Sequence, residues 1–251
     1  MTITDLKIPH HGRSVHAALY LPEASAPVPA LLMSHGYNGC LTDFDADARF
    51  LAAHGIAVLC GTFCGGSTRD ESGFPSTEMT LFTEMEDALA LLDFLRRHEA
   101  VDPSRVFLFG GSMGGLVSVM AAQERPQDVA GLVLLFPALC IPENWTTRYP
   151  VDADVPEQFN FWELTLGRKF VTSLRELDIF PGMTSFQQPV LILQGDADPI
   201  VRLADSERAV GLYPDAELVV FPGEGHGFTA EGCAEVQRRT LAFLQKYSSL
   251  K

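Results

Sequence analysis

The chain has 251 residues, 47% of them hydrophobic, and carries a formal net charge of −14. That length suits one large α/β domain or two small ones, and the apolar fraction is enough for a sizeable core. The negative charge argues against nucleic acid and anionic membrane surfaces as partners.

The opening stretch, "MTITDLKIPHHGRSVHAALYL", has no basic segment followed by an apolar one, so no signal peptide is expected. Thr2–Ile8 and Val15–Leu21 read as β segments before a proline-rich turn, "PEASAPVP". "ALLMSHG" is a continuous apolar run ending in a loop, as expected of a strand buried on both faces. Asp43–His54 is helix-like and stops at Gly55, and Ile56–Cys60 is a short apolar strand. From Leu81 to Leu95, apolar residues recur at helical spacing. Val106–Phe109 is β-prone and Leu116–Gln123 suits a helix, with a glycine-rich turn between them. "VAGLVLLFPA" and "PVLILQGDAD" are two further buried strands. A helix over Leu203–Leu212, the stretch "ELVVFPGEGHG" and a helix over Ala230–Tyr247 complete the chain. Apolar strands alternating with amphipathic helices predict a doubly wound, mostly parallel sheet. No run approaches the roughly 18 apolar residues that span a bilayer. Five cysteines, an odd number without framework spacing, predict reduced thiols and a cytoplasmic location.

One segment breaks the alternation. Leu139–Phe180 is long for a connection between strands, since most such loops run about 2–6 residues. It holds Trp145 and Trp162, the only tryptophans of the chain, with Tyr149, Phe159, Phe161 and Phe170. A crossover helix is expected near Lys169–Leu177, and the rest reads as an inserted cap whose aromatics face a cavity.

The candidate chemistry sits at three strand ends, where open parallel sheets gather functional residues. Gly110-Gly111-Ser112-Met113-Gly114 fits the G-x-S-x-G elbow, which pushes the serine hydroxyl out of a tight strand-to-helix turn. Asp196 and Asp198 follow "PVLILQG", and His226 follows "ELVVFPGEG". A serine hydroxyl is a weak nucleophile near neutral pH and needs a base, here His226, whose tautomer a carboxylate must fix. Spacing does not choose between the two aspartates, because either could cap the following turn. In "SHGYNG", an early loop offers a backbone N–H that could meet the one from Met113 in an oxyanion hole, and His35 reads as a loop organiser.

Taken together, "SHGYNG", "GGSMGG", "LQGDADPIV" and "GEGHGF" resemble the α/β-hydrolase superfamily over nearly the whole chain. Within it, "FWELTLGRKFVTSLRELDIF" followed by "QPVLILQGDADPIV" is similar to bacterial cinnamoyl and feruloyl esterases. The resemblance implies an α/β-hydrolase fold with a small cap after the sixth strand, at about 139–180, in a single domain of residues 1–251. The pattern G-x-x-D-x-x-V falls on Gly195, Asp198 and Val201, which implies Asp198 as the acid. Tyr37 and Met113 are the implied oxyanion donors, and Trp145 and Trp162 the implied substrate contacts. Those esterases usually carry histidine before the serine, where this chain has Gly111.

The expectation is a serine esterase that hydrolyses small hydroxycinnamate-type esters through an acyl-enzyme, without metal or organic cofactor. Homodimerisation is left open. The alternatives are a peptidase of the prolyl-oligopeptidase catalytic type, disfavoured by the lack of an N-terminal propeller, and a non-catalytic binding protein of the same fold. Three other signals carry less. "DFDAD" at Asp43–Asp47 lacks the glycine of a calcium loop and reads as an acidic helix start. "CGGST" at Cys64–Thr68 lacks the lysine of a phosphate loop, and His10, His11 and His16 read as surface residues.

Overall fold

The computed structural model describes residues 1–249. The strands are β1 (Thr2–His10), β2 (Arg13–Leu21), β3 (Val28–Ser34), β4 (Ala57–Thr62), β5 (Val101–Gly111), β6 (Leu132–Leu135), β7 (Gln158–Phe161), β8 (Leu164–Gly167), β9 (Val190–Gly195) and β10 (Ala216–Phe221). The α-helices are α1 (Asp45–Ala53), α2 (Leu81–Arg97), α3 (Met113–Glu124), α4 (Ile141–Arg148), α5 (Arg168–Thr172), α6 (Phe180–Met183), α7 (Leu203–Leu212) and α8 (Ala230–Ser248).

Eight strands form the main sheet in the order β1-β2-β4-β3-β5-β6-β9-β10. The N-terminal hairpin β1–β2 joins antiparallel, and every pairing from β4 to β10 is parallel. This is the expected doubly wound, mostly parallel sheet. Period-2 alternation sends side chains from one strand to two different cores. In β3, Ala30 and Leu32 join a core under α2, α3 and α7, and Leu31 and Met33 face α1 and α8. Both faces of the strand are covered, which accounts for its unbroken apolar run. Helix α2 starts at a capping box in which Thr80 and Thr83 exchange side-chain bonds to backbone N–H groups.

The segment between β6 and β9 differs from expectation in two respects. The helix after Gly167 is only the five-residue α5, and turns follow it where the sequence suggested helix to Leu177. An unforeseen hairpin, β7–β8, precedes it. Phe161 pairs with Leu164, so its loop is only Trp162 and Glu163, at φ of 40° and 68°. Two-residue hairpin loops with both residues at positive φ favour Asn-Gly, and Trp-Glu carries no such signal. Trp145, Phe170 and Leu166 anchor the insert in the same core as α2 and α3.

Candidate active site

Strand β5 ends at Gly111, and α3 begins at Met113. Ser112 bridges them at φ 53°, ψ −121°, a strained conformation for a residue with a side chain. The flanking glycines permit the turn. A Cβ on Gly110 would lie 2.1 Å from the Gly114 carbonyl oxygen, and one on Gly114 would lie 2.3 Å from those of Ser34 and His35. Gly111 has its own neighbour: a Cβ there would stand 2.9 Å from the Phe44 ring. Phe44 thus fills the space beside the serine that a side chain at position 111 would need.

His226 lies in the loop after β10, and its Nε2 is 2.9 Å from the Ser112 hydroxyl. Its Nδ1 is 2.8 Å from Asp198 Oδ2. The other oxygen, Oδ1, accepts from the N–H groups of Ile200 and Val201 at 2.8 and 2.9 Å. Asp198 is almost wholly buried, with 1% of its side chain exposed, so its charge is poorly screened and its geometry fixed. Asp196 has a different task. Its Oδ1 accepts the Gly223 N–H at 2.6 Å and ties the loop that carries His226 to the end of β9.

Two supporting groups were not singled out from the sequence. The Gln194 amide donates to Asp198 Oδ2 at 3.3 Å, and the Ser206 hydroxyl on α7 donates to the Gln194 carbonyl oxygen at 3.1 Å. The available signal was one glutamine in the apolar run "VLILQG". Phe136 is a third omission: at φ 36°, it sets its ring 4.7 Å from that of His226.

Tyr37 and Met113 both line the cavity at Ser112. Met113 opens α3, so its N–H points out of the positive end of the helix. Among the described residues, neither its N–H nor that of Tyr37 has an internal acceptor. His35 holds the Tyr37 loop. Its Nδ1–H donates to the Gly36 carbonyl at 2.7 Å, which leaves Nε2 to accept the Phe63 N–H at 3.0 Å. Full burial lowers its pKa and keeps it neutral, as befits a loop organiser. The "CGGST" segment packs on the same loop, with Thr68 donating to Asn38 Oδ1 through N–H and hydroxyl. From the other side, Tyr37 donates its hydroxyl to the Phe161 carbonyl at 2.6 Å, linking this loop to the β7–β8 hairpin.

A cavity of about 250 Å³ opens at Ser112. Met113, Trp145, Phe161 and Phe170 form apolar walls, and Trp162 lies at the rim. Both tryptophans therefore border the site, unequally: Trp145 is 6% exposed and Trp162 57%. A larger groove beneath α8 borders the opening residues of β9 and β10, away from these strand ends, and no nucleophilic serine lines it. Among the described residues no cluster of histidine, cysteine and carboxylate groups could hold a metal ion, and no helix is long and apolar enough to cross a membrane. Cys60 and Cys64 are buried thiols, and burial pushes Cys64 up to about 12.

A mostly parallel sheet carrying a serine elbow, with an aspartate and a histidine after later strands, defines an α/β-hydrolase. Within that class the chain belongs to the prolyl oligopeptidase family, whose model matches residues 42–251. An uncharacterized protein of Mycobacterium tuberculosis is 32% identical over 213 residues, covering 82% of this chain and 66% of that protein. The chain thus spans less than two thirds of that relative's length. Human monoglyceride lipase is 29% identical over 244 residues, 82% of this chain and 78% of the lipase. Est1E from Butyrivibrio proteoclasticus, in a structure with ferulic acid bound, matches with a TM-score of 0.88 at 23% identity. That match covers 97% of this chain and 99% of Est1E. The chain therefore has the fold and relatives of a hydrolase.

Proposed function

We propose that the protein is a serine carboxylic-ester hydrolase acting on hydroxycinnamate-type esters through an acyl-enzyme. The observation that carries this reading is the unbroken hydrogen-bonded chain from Ser112 through His226 to Asp198, opening into an aromatic cavity. The Ser112 hydroxyl attacks the ester carbonyl as His226 Nε2 takes its proton, and buried Asp198 stabilises the imidazolium that forms. The carbonyl oxygen becomes an oxyanion held by the N–H groups of Tyr37 and Met113, each worth about 3 kcal/mol in comparable sites. His226 returns the proton to the departing alcohol, and water then releases the acid by the same steps in reverse order of partners.

Residues 1–251 act as one domain in this reading, with the insert at about 139–180 as its cap. Trp145, Phe161 and Phe170 offer ring faces and edges that suit a flat aromatic acid. The ferulic acid bound to Est1E, a protein of the same fold, supports that class of acyl group. Family membership favours a second reading, cleavage of a peptide amide. Measuring kcat/KM for methyl ferulate, p-coumarate and caffeate, short p-nitrophenyl esters and a prolyl peptide amide separates the two. The proposal expects the aromatic methyl esters to exceed the amide by at least about 100-fold, and an amide preference would overturn it.

A further inference from the structure

We propose that the acyl cavity ends in an anion subsite formed by Arg148, so that the preferred ester carries a second, unesterified carboxylate at the far end of its acyl group. This rests on the ester-hydrolase reading above. Helix α4 starts beside the nucleophile, because the Ala138 N–H donates to the Ser112 carbonyl oxygen at 2.9 Å and Ile141 follows one turn later. Ile141, Trp145 and Arg148 share one helix face, and all three line the cavity. Seven residues of helix rise about 10 Å, so Arg148 stands about that far along the helix from Ile141, at the solvent-exposed side of the cavity.

Arg148 is the only charged residue lining this cavity among the described residues. Its guanidinium lies 5.5 Å from the Trp145 ring and 5.6 Å from that of Tyr149, two rings stacked within 8° of parallel. A guanidinium near ring faces keeps its N–H donors for a planar, two-oxygen acceptor. No carboxylate pairs with it among the described residues, although the chain is strongly acidic. Of the acidic groups nearby in sequence, Glu143 pairs with Arg202, Asp152 with Arg175 and Glu157 with Arg168, and Asp154 forms no ion pair with Arg148 among the described residues. An exposed arginine without an ion-pair partner, beside two aromatic rings at the edge of an otherwise uncharged slot, can receive an anion entering with the acyl group.

The test compares two isosteric esters, methyl 4-carboxycinnamate with its distal carboxylate free and methyl 4-carbamoylcinnamate. The wild-type kcat/KM ratio should favour the carboxylate at least about fivefold at low salt and fall as salt screens the pair. Arg148→Gln should bring the ratio to one or below, Arg148→Lys should keep part of the preference, and Arg148→Glu should invert it. Each ratio is taken within one variant, so a general loss of activity or folding does not mimic the result. A wild-type ratio near one, or a preference that survives Arg148→Gln, overturns the subsite while leaving an ester hydrolase. Turnover of neither ester, with no fluorophosphonate label on Ser112, overturns the ester-hydrolase reading and the subsite with it.

Discussion

Replacing Asp198 with asparagine should disable the site through a single proton. The oxygen Oδ1 of Asp198 accepts two backbone N–H groups, those of Ile200 and Val201. In Asp198→Asn the amide oxygen must take that position, since an NH2 there would face two donors and leave both unpaired, at about 1–3 kcal/mol each. The NH2 then takes the place of Oδ2, 2.8 Å from His226 Nδ1. It donates to Nδ1 and so forces the ring proton onto Nε2, which faces the Ser112 hydroxyl at 2.9 Å. A protonated Nε2 cannot accept the serine proton, and the forming imidazolium also loses its counter-charge. Wrong-tautomer variants of such triads lose about 10⁴-fold, or roughly 5 kcal/mol of transition-state stabilisation. Asp196→Asn keeps an oxygen for the Gly223 N–H and should cost no more than a few-fold. The assay is kcat/KM on p-nitrophenyl acetate at pH 7.5, with circular dichroism and melting curves to establish that both variants fold. An Asp198→Asn enzyme within about 100-fold of wild type, or a greater loss in Asp196→Asn, would refute the assignment.

Ser112→Ala should lower turnover by about 10⁴-fold or more with little change in Tm, because the hydroxyl makes no structural bond beyond that to His226; a tenth of wild-type activity remaining would refute the mechanism. Trp162→Ala should raise KM for methyl ferulate more than about tenfold relative to p-nitrophenyl acetate with only a small fall in Tm, since this ring is at the rim and mostly exposed. Trp145→Ala removes a core side chain and should cost about 3–5 kcal/mol of stability, and equal stability losses in the two variants would contradict this division. Glu84 is fully buried with neither oxygen partnered, and burial with Asp87 nearby raises its pKa well above the ordinary range. Wild-type stability from this group is complete below the unfolded pKa and declines as pH rises towards the folded one, by up to about 1.4 kcal/mol per unit. The Tm of Glu84→Gln minus that of wild type should therefore grow from pH 5 to pH 9, and a constant difference would contradict it.

The parts legible in the sequence are those that local chemistry dictates. Gly110 and Gly114 around Ser112 mark a backbone that admits no side chains, and the continuous apolar runs of β3, β6 and β9 mark strands covered on both faces. The order serine, aspartate, histidine after β5, β9 and β10 follows from these elements. Spacing left Asp196 and Asp198 equivalent, because only the fold shows one carboxylate turned to His226 and the other to Gly223. Gln194 is one polar residue in an apolar strand, and its bond to Asp198 is not marked by any periodicity. The β7–β8 hairpin was hidden by its turn: Trp162 and Glu163 adopt a conformation that glycine and asparagine usually signal. Aromatic richness marked the insert as unusual, but not that Trp145 goes inward and Trp162 to the rim.

The central claim is that Ser112 carries the acyl group between two half-reactions. Rapid-quench mass spectrometry of the enzyme with p-nitrophenyl acetate tests it directly. The account predicts one acetyl group on the tryptic peptide that contains Ser112, formed in step with a burst of one equivalent of p-nitrophenol and absent in Ser112→Ala. Steady hydrolysis without that adduct, or an adduct on another residue, would contradict it.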